Sequence, residues 1–234
     1  MVRTVIDDKA LRHLRTLSWL SDDQLRRLAR DLTTLRVKRR ETIFFEGEAS
    51  AHVYVLLSGV AKLSLLNRDE RVLVGLVGPG EIFGVSSLLP GATRPFRCDA
   101  FSDCTVGVGD PAKFVEIVLG VPLERLSRTL DVTVGRWWGM LQRYTNFIGL
   151  SVRERLAGAL LELGAKFGVD DARGKLLTLN LTHADLAELV GASRQRTTEQ
   201  LNEFERERLL IRDGRRLIIA VDKLLALAGT PVIE

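Results

Sequence analysis

Thr182–Phe204, THADLAELVGASRQRTTEQLNEF, is the stretch whose reading decides the architecture. Thr182 can cap a helix, and Asp185 lies three residues on to answer the free backbone donors of the first turn. Leu186, Leu189 and Val190 then share one apolar face at helical spacing. Gly191 supplies the turn, because a left-handed backbone is cheap only for glycine. Ser193 caps a second helix, with Leu201 and Phe204 as its apolar face and Thr197 one turn earlier. Ala187 is small where the two helices would cross. The stretch reads as a helix-turn-helix whose second helix suits a DNA major groove.

The face opposite Leu201 and Phe204 carries Arg194, Gln195, Thr198, Glu199 and Asn202, at i, i+1, i+4, i+5 and i+8. Such side chains can address base edges: arginine guanine, glutamine or asparagine adenine, glutamate the cytosine amino group. A solvated helical hairpin in an unrelated domain is the competing reading, since charged faces are commonly just solvated.

The remaining composition is that of a soluble globular chain of one or two domains. Of 234 residues, 46% are hydrophobic and 27% charged, enough for a sizeable core. Met1–Lys9 holds Asp7 and Asp8 and no apolar run, so no signal peptide is expected. No stretch approaches the roughly 18 apolar residues of a membrane span. A cytoplasmic location without membrane contact is the expectation. The net charge is +4, but residues 151–234 carry thirteen Lys and Arg against thirteen Asp and Glu. The half that would bind DNA is therefore not globally basic. Its affinity must come from placed arginines, seven of which fall in Arg194–Arg216, and from pairing two copies.

Ahead of this half lie two other segments. Residues 1–121 open with a helical stretch, Ile6–Arg30, and change period at Leu35. Short β-branched and aromatic runs follow: Thr42–Phe45, His52–Leu57, Val60–Leu66, Val72–Val77, Arg97–Phe101 and Thr105–Val108. Glycines punctuate them, which predicts a small barrel or sandwich. The basic run Arg36, Lys38, Arg39 and Arg40 reads as a solvated strand face. Residues 122–150 read as one long helix. Along it Leu130, Val134, Trp137, Leu141, Tyr144 and Ile148 repeat at spacings of 4, 3, 4, 3 and 4. Such a heptad seam wants a partner helix, and a homodimer would set two reading helices on a two-fold site. Residues 151–234 begin with an amphipathic helix, Val152–Phe167. A loop, Gly168–Lys175, and a strand, Leu176–Asn180, lead into the motif. Leu210–Ile211, a turn at Asp213–Gly214, and Arg216–Val221 form a hairpin wing. Arg212, Arg215 and Arg216 on that wing, together with Arg196, are the phosphate candidates. Thr182, His183 and Ser193 are placed by the motif beside the DNA.

This order of glycine-punctuated β-roll, long seam helix and winged helix-turn-helix resembles the cyclic AMP receptor protein/FNR (Crp/Fnr) family of bacterial transcription regulators. The resemblance runs over essentially the whole chain. Ile43–Glu48 (IFFEGE) and Val53–Gly59 (VYVLLSG) look like the family's early β-roll signature. Pro79–Gly84 (PGEIFG) looks like the turn into its phosphate-binding cassette, and Val190–Arg194 (VGASR) like the start of its recognition helix. The resemblance implies an α+β fold: a cyclic-nucleotide-binding-like β-roll, a dimerisation helix and a C-terminal winged helix-turn-helix. It implies a homodimer on pseudo-palindromic double-stranded operator DNA that also touches RNA polymerase.

Measured against that resemblance, the ligand residues depart. Cyclic AMP-binding members place a glutamate after the cassette glycine; here Val85 follows Gly84. Arg94 lies where the phosphate-holding arginine belongs, but the next residue is Pro95, with neither a hydroxyl nor a backbone N–H. Met140 and Leu141 stand where small hydroxyl residues usually meet the purine. The loop Ser86–Thr93 is one residue shorter. A buried polar ligand missing its partners loses roughly 1–3 kcal/mol per unsatisfied group, so tight cyclic AMP binding is not expected. Two readings stay open. An apolar pocket of Val85, Phe96, Trp138, Met140 and Leu141 takes another small-molecule effector, or those side chains fill it and the dimer acts without effector. Bulky groups in place of small polar ones favour the second.

Other sensing chemistries lack ligands. An iron–sulfur cluster needs about four cysteine ligands, and only Cys98 and Cys104 are present. His13, His52 and His183 are poor haem candidates, so no cofactor or metal is expected. The cysteines read as buried, inert thiols. No phosphate loop, nucleophile elbow or zinc-ligand spacing points to an enzyme. The remaining alternative is a nucleotide- or small-molecule-sensing regulatory protein that acts through protein partners.

Overall fold

Local sequence chemistry sets each element before packing joins them. Ser21 begins the second helix with a reciprocal capping box to Gln24. Asp110 and Pro111 start the third in the same local way, through a side-chain cap and a ring that needs no N–H donor. The computed structural model describes residues 6, 8–67, 70–122, 125, 135 and 149–228. It divides into two compact units, Met1–Gly139 and Met140–Glu234.

In the first unit, α1 (Asp8–Arg12) and α2 (Asp22–Asp31) flank a 3-10 turn at Arg15–Leu17. The expected helical opening is thus split, because Ser21 restarts the chain with its own cap. Eight strands follow: β1 (Thr33–Val37), β2 (Thr42–Phe44), β3 (Val53–Ser58), β4 (Ala61–Asn67), β5 (Glu70–Val77), β6 (Ile82–Phe83), β7 (Arg97–Ala100) and β8 (Cys104–Gly109). They form two four-stranded sheets, β1-β8-β3-β6 and β2-β7-β4-β5, with antiparallel pairing throughout. Helix α3 (Pro111–Leu119) comes next. It was not expected from periodicity, although its Asp-Pro start is legible.

Two cores hold this unit. Leu11, Leu17, Leu28, Phe114 and Ile117 from the helices close over Val53 and Val55. Inside the roll, Phe44, Tyr54, Leu56, Phe83, Cys98 and Val106 pack together. The basic run is solvated as expected, with Arg36, Lys38, Arg39 and Arg40 all exposed.

Of the expected long helix, Arg125, Gly135 and Gly149 are helical. The seam residues Leu130, Val134, Trp137, Leu141, Tyr144 and Ile148 lie outside the described residues, as do Trp138 and Met140.

The second unit carries the expected leading helix, Val152–Phe167, capped by Ser151 and Glu154. The loop expected over Gly168–Lys175 is instead a hairpin, β9 (Gly168–Asp171) with β10 (Gly174–Leu177). The first of these strands, Gly-Val-Asp-Asp, shows no periodic pattern, and the strand expected at Leu176–Asn180 begins at Gly174 and ends at Leu177. The two motif helices, His183–Val190 and Arg194–Arg206, are followed by β11 (Leu210–Asp213) and β12 (Arg216–Ile219). The sheet runs β11-β12-β10-β9, so the wing hairpin and the β9-β10 hairpin share one sheet. A short closing helix, Val221–Leu227, was not expected. Among the described residues, no helix is long and apolar enough to cross a membrane.

Candidate nucleic-acid interface and effector region

The motif is built as its sequence dictates. Thr182 caps the first helix with both halves of the capping box to Asp185 in place. Gly191 ends that helix at φ +59°, in the left-handed region that a Cβ would strain. Ser193 caps the second helix, accepting from the Arg196 amide. Leu186, Ala187, Leu189 and Val190 bury one face, and Thr197, Leu201 and Phe204 bury the other. Full burial of side chains such as Leu201 and Phe204 stabilises by roughly 1.5–3 kcal/mol each, enough to fix the second helix on its support.

That fixing leaves Arg194, Gln195, Arg196, Glu199 and Asn202 exposed. They are not independent. Gln195 Nε2 donates to one oxygen of Glu199 at 3.2 Å, and Arg196 Nη1 meets the other at 3.2 Å. Thr198 is half-buried; its hydroxyl donates to the Arg194 carbonyl and lies 2.8 Å from His183 Nδ1. Burial, then the charges of Arg212 and Arg194, hold the His183 imidazole below the ordinary histidine range.

The wing arginines divide into two kinds. Arg212 turns back onto the second motif helix, donating to Asn202 at 2.7 Å and pairing with Glu205 at 3.4 Å. Arg215 and Arg216 lie at the exposed end of the β11-β12 hairpin. Another arginine braces the motif from behind. Arg155 on the leading helix donates to the carbonyls of Leu150, Val190 and Gly191, the last two being orphan acceptors at a helix end. Sequence reasoning missed Arg155, since its partners lie up to 36 residues away.

In the roll, the expected effector residues that fall among the described ones are Gly84, Val85, Arg94, Pro95 and Phe96. Val85 is 50% exposed, on a 3-10 turn, and Pro95 is also exposed, so neither fills the interior. Phe96 is half-buried. Arg94 is the buried member, at 2% exposure. Its Nη1 donates to the Gly84 carbonyl at 2.7 Å and its Nη2 to the His52 carbonyl at 2.6 Å. The guanidinium lies 4.5 Å from the centre of the Phe44 ring and 5.2 Å from that of Tyr54, within cation–π range of both. Phe44, Tyr54 and Phe83 stack on one another, with centroids 5.2–6.2 Å apart. These three aromatics were not anticipated as site residues. They fill the space because β2, β3 and β6 each point an aromatic side chain into the roll. Gly84 sits at φ +72°, where a Cβ would stand 2.7 Å from the Tyr54 ring and 2.8 Å from Arg94 Nη1. Both terminal nitrogens of Arg94 thus donate to main-chain carbonyls, which holds the guanidinium in place inside the roll.

Cys98 and Cys104 are buried free thiols. Burial pushes the Cys98 thiol far above its ordinary range, and raises Cys104 as well. Among the described residues, no cluster of His, Cys, Asp and Glu could hold a metal ion.

A helix-turn-helix with a wing, joined to a roll of the cyclic-nucleotide-binding kind, defines a DNA-binding transcription regulator rather than an enzyme. The cyclic nucleotide-binding domain family matches residues 34–119, and the Crp-like helix-turn-helix domain family matches residues 154–227. The chain belongs to the Crp/Fnr family of transcription regulators. It is 31% identical to the global nitrogen regulator of a Nostoc species, over 74% of this chain and 78% of that one. It is 26% identical to the CRP-like cAMP-activated global transcriptional regulator of Mycobacterium tuberculosis, over 85% of this chain and 89% of that one. Among solved structures, FixK2 from Bradyrhizobium japonicum shares the fold with a TM-score of 0.72 at 20% identity, covering 86% of this chain and 99% of that one.

Proposed function

We propose that the chain acts as a homodimer, paired through residues 122–150, that reads a pseudo-palindromic operator with residues 193–204 and contacts RNA polymerase. The observation that carries this reading is the exposed row Arg194, Gln195, Glu199 and Asn202 on a helix pinned by buried Leu201 and Phe204. Arg194 selects guanine, Gln195 adenine, and Glu199 accepts from cytosine. Thr182, His183, Ser193 and Thr198 support that face. Arg196, Arg215 and Arg216 take phosphates. The roll works without cyclic AMP, because Val85 and Pro95 stand where the resemblance calls for polar partners of the nucleotide.

The test is selection of bound duplexes from a random pool by purified, ligand-free protein, with the mass of the complex measured in solution. Two inverted half-sites bound by two chains support the reading. A protein that selects nothing until an effector is added overturns the effector-free part. One observation favours that second outcome: Arg94 Nε is buried with no hydrogen-bond partner among the described residues, as a site awaiting a small acceptor ligand would be. A rise in melting temperature with a nucleotide or other anion separates the two.

A further inference from the structure

His183 is the one member of the proposed DNA face whose charge changes near neutral pH. It opens the first motif helix and packs against the second. Thr198 commits its single hydroxyl proton to the Arg194 carbonyl at 2.8 Å. The hydroxyl can therefore only accept from His183 Nδ1, 2.8 Å away. This fixes the neutral ring with its proton on Nδ1 and leaves Nε2 as a bare lone pair. The chain His183–Thr198–Arg194 thus ties the imidazole to the backbone of the residue best placed to read guanine.

The charged groups around the ring are Arg194 from the second motif helix and Arg212 from the wing. Glu199, on the second helix, is engaged with Gln195 and Arg196. On the ring's own helix, Asp185 is engaged with the Thr182 cap. The local field in the unbound protein is therefore positive and opposes protonation. A DNA backbone laid on this face reverses that field, since each phosphate brings a negative charge against a half-buried ring.

We propose that DNA binding takes up a proton at His183, whose imidazolium donates from Nε2 to a phosphate while Nδ1 stays on Thr198. His183 is then a phosphate contact that weakens as pH rises, set in a face whose arginines hold constant charge. The inference rests on the proposed operator reading.

The experiment measures affinity for the tightest duplex selected from the random pool, at fixed salt, between about pH 5 and pH 8. The wild-type affinity should fall with rising pH by up to about tenfold per unit within the window between the unbound and bound ring values. Calorimetry in two buffers of different ionisation enthalpy should register fractional proton uptake on binding. His183→Gln keeps a donor to Thr198 but cannot charge, so its profile should be flat at the high-pH affinity of the wild type. His183→Arg should also be flat. With three histidines in the chain, His13, His52 and His183, the ring that shifts on binding can be assigned by nuclear magnetic resonance using single variants. A pH slope that persists in His183→Gln, or a flat wild-type profile, overturns the proposal. Failure to bind any duplex at any pH overturns the operator reading and this inference with it.

Discussion

Arg212 Nη2 donates to Asn202 Oδ1 at 2.7 Å, which ties the wing to the recognition helix and turns an arginine inward. Arg212 also pairs with Glu205. A guanidinium used this way positions the wing rather than seeking phosphate. Arg212→Ala should lower operator affinity with little change in its salt dependence. Arg215→Ala and Arg216→Ala should each weaken binding uniformly across sequences and reduce the salt slope by about 1. Titrations at several salt concentrations distinguish the two patterns; a full unit lost from the slope in Arg212→Ala would sink the distinction.

Glu199 holds both Gln195 and Arg196, so it governs which way the glutamine amide presents itself to a base. Exposed pairs three or four residues apart contribute only about 0.3–0.5 kcal/mol, so Glu199→Ala should barely alter folding stability. It should instead change the preferred base beside the Arg194 position. Arg194→Ala should cost roughly 1–3 kcal/mol and relax one operator position. Sequence selection with each variant, set beside denaturant melts, reads both effects. Identical selected sites for Glu199→Ala and wild type would refute the orienting role.

Arg94 is a structural element of the roll as much as a site residue. Arg94→Ala removes two hydrogen bonds, of which the Gly84 carbonyl keeps the Ser87 amide and hydroxyl as donors, and empties the space beside Phe44 and Tyr54. A loss of roughly 2–4 kcal/mol in unfolding free energy is expected. Gly84→Ala should destabilise too, since its Cβ would meet Tyr54 and Arg94 at a left-handed backbone. Cyclic AMP should leave the wild-type melting temperature unchanged. An Arg94→Ala protein as stable as wild type would contradict this account.

The two thiols should resist modification in the folded protein. Cys98 and Cys104 are buried and both have raised thiol values, so the reactive thiolate is scarce at neutral pH. A thiol-reactive dye should label them only on unfolding, and mild oxidant should leave DNA binding unaltered. Rapid labelling of native protein would restore a redox role.

The recognition motif was legible residue by residue. Thr182, Asp185, Gly191 and Ser193 act on backbone within a few positions of themselves, and the observed caps and turn are the ones their chemistry demands. The strand runs were legible for the same reason, since β-branched alternation between glycines is local information. Three elements escaped: the β9 strand, Gly-Val-Asp-Asp with no period, α3, whose Asp110–Pro111 start was readable but overlooked, and the closing helix Val221–Leu227.

The departures at Val85 and Pro95 came from the family resemblance; from the amino acids alone came the helix-turn-helix, the wing and the roll. Each rests on residues adjacent in sequence or on one element's period. Tertiary structure alone decided what the long polar side chains do. Arg94 reaches His52 across 42 positions, Arg155 reaches Gly191 across 36, and His183 reaches Thr198 across 15. An arginine or histidine bonds whichever acceptor the fold brings within about 3 Å, and no local pattern encodes that acceptor's identity.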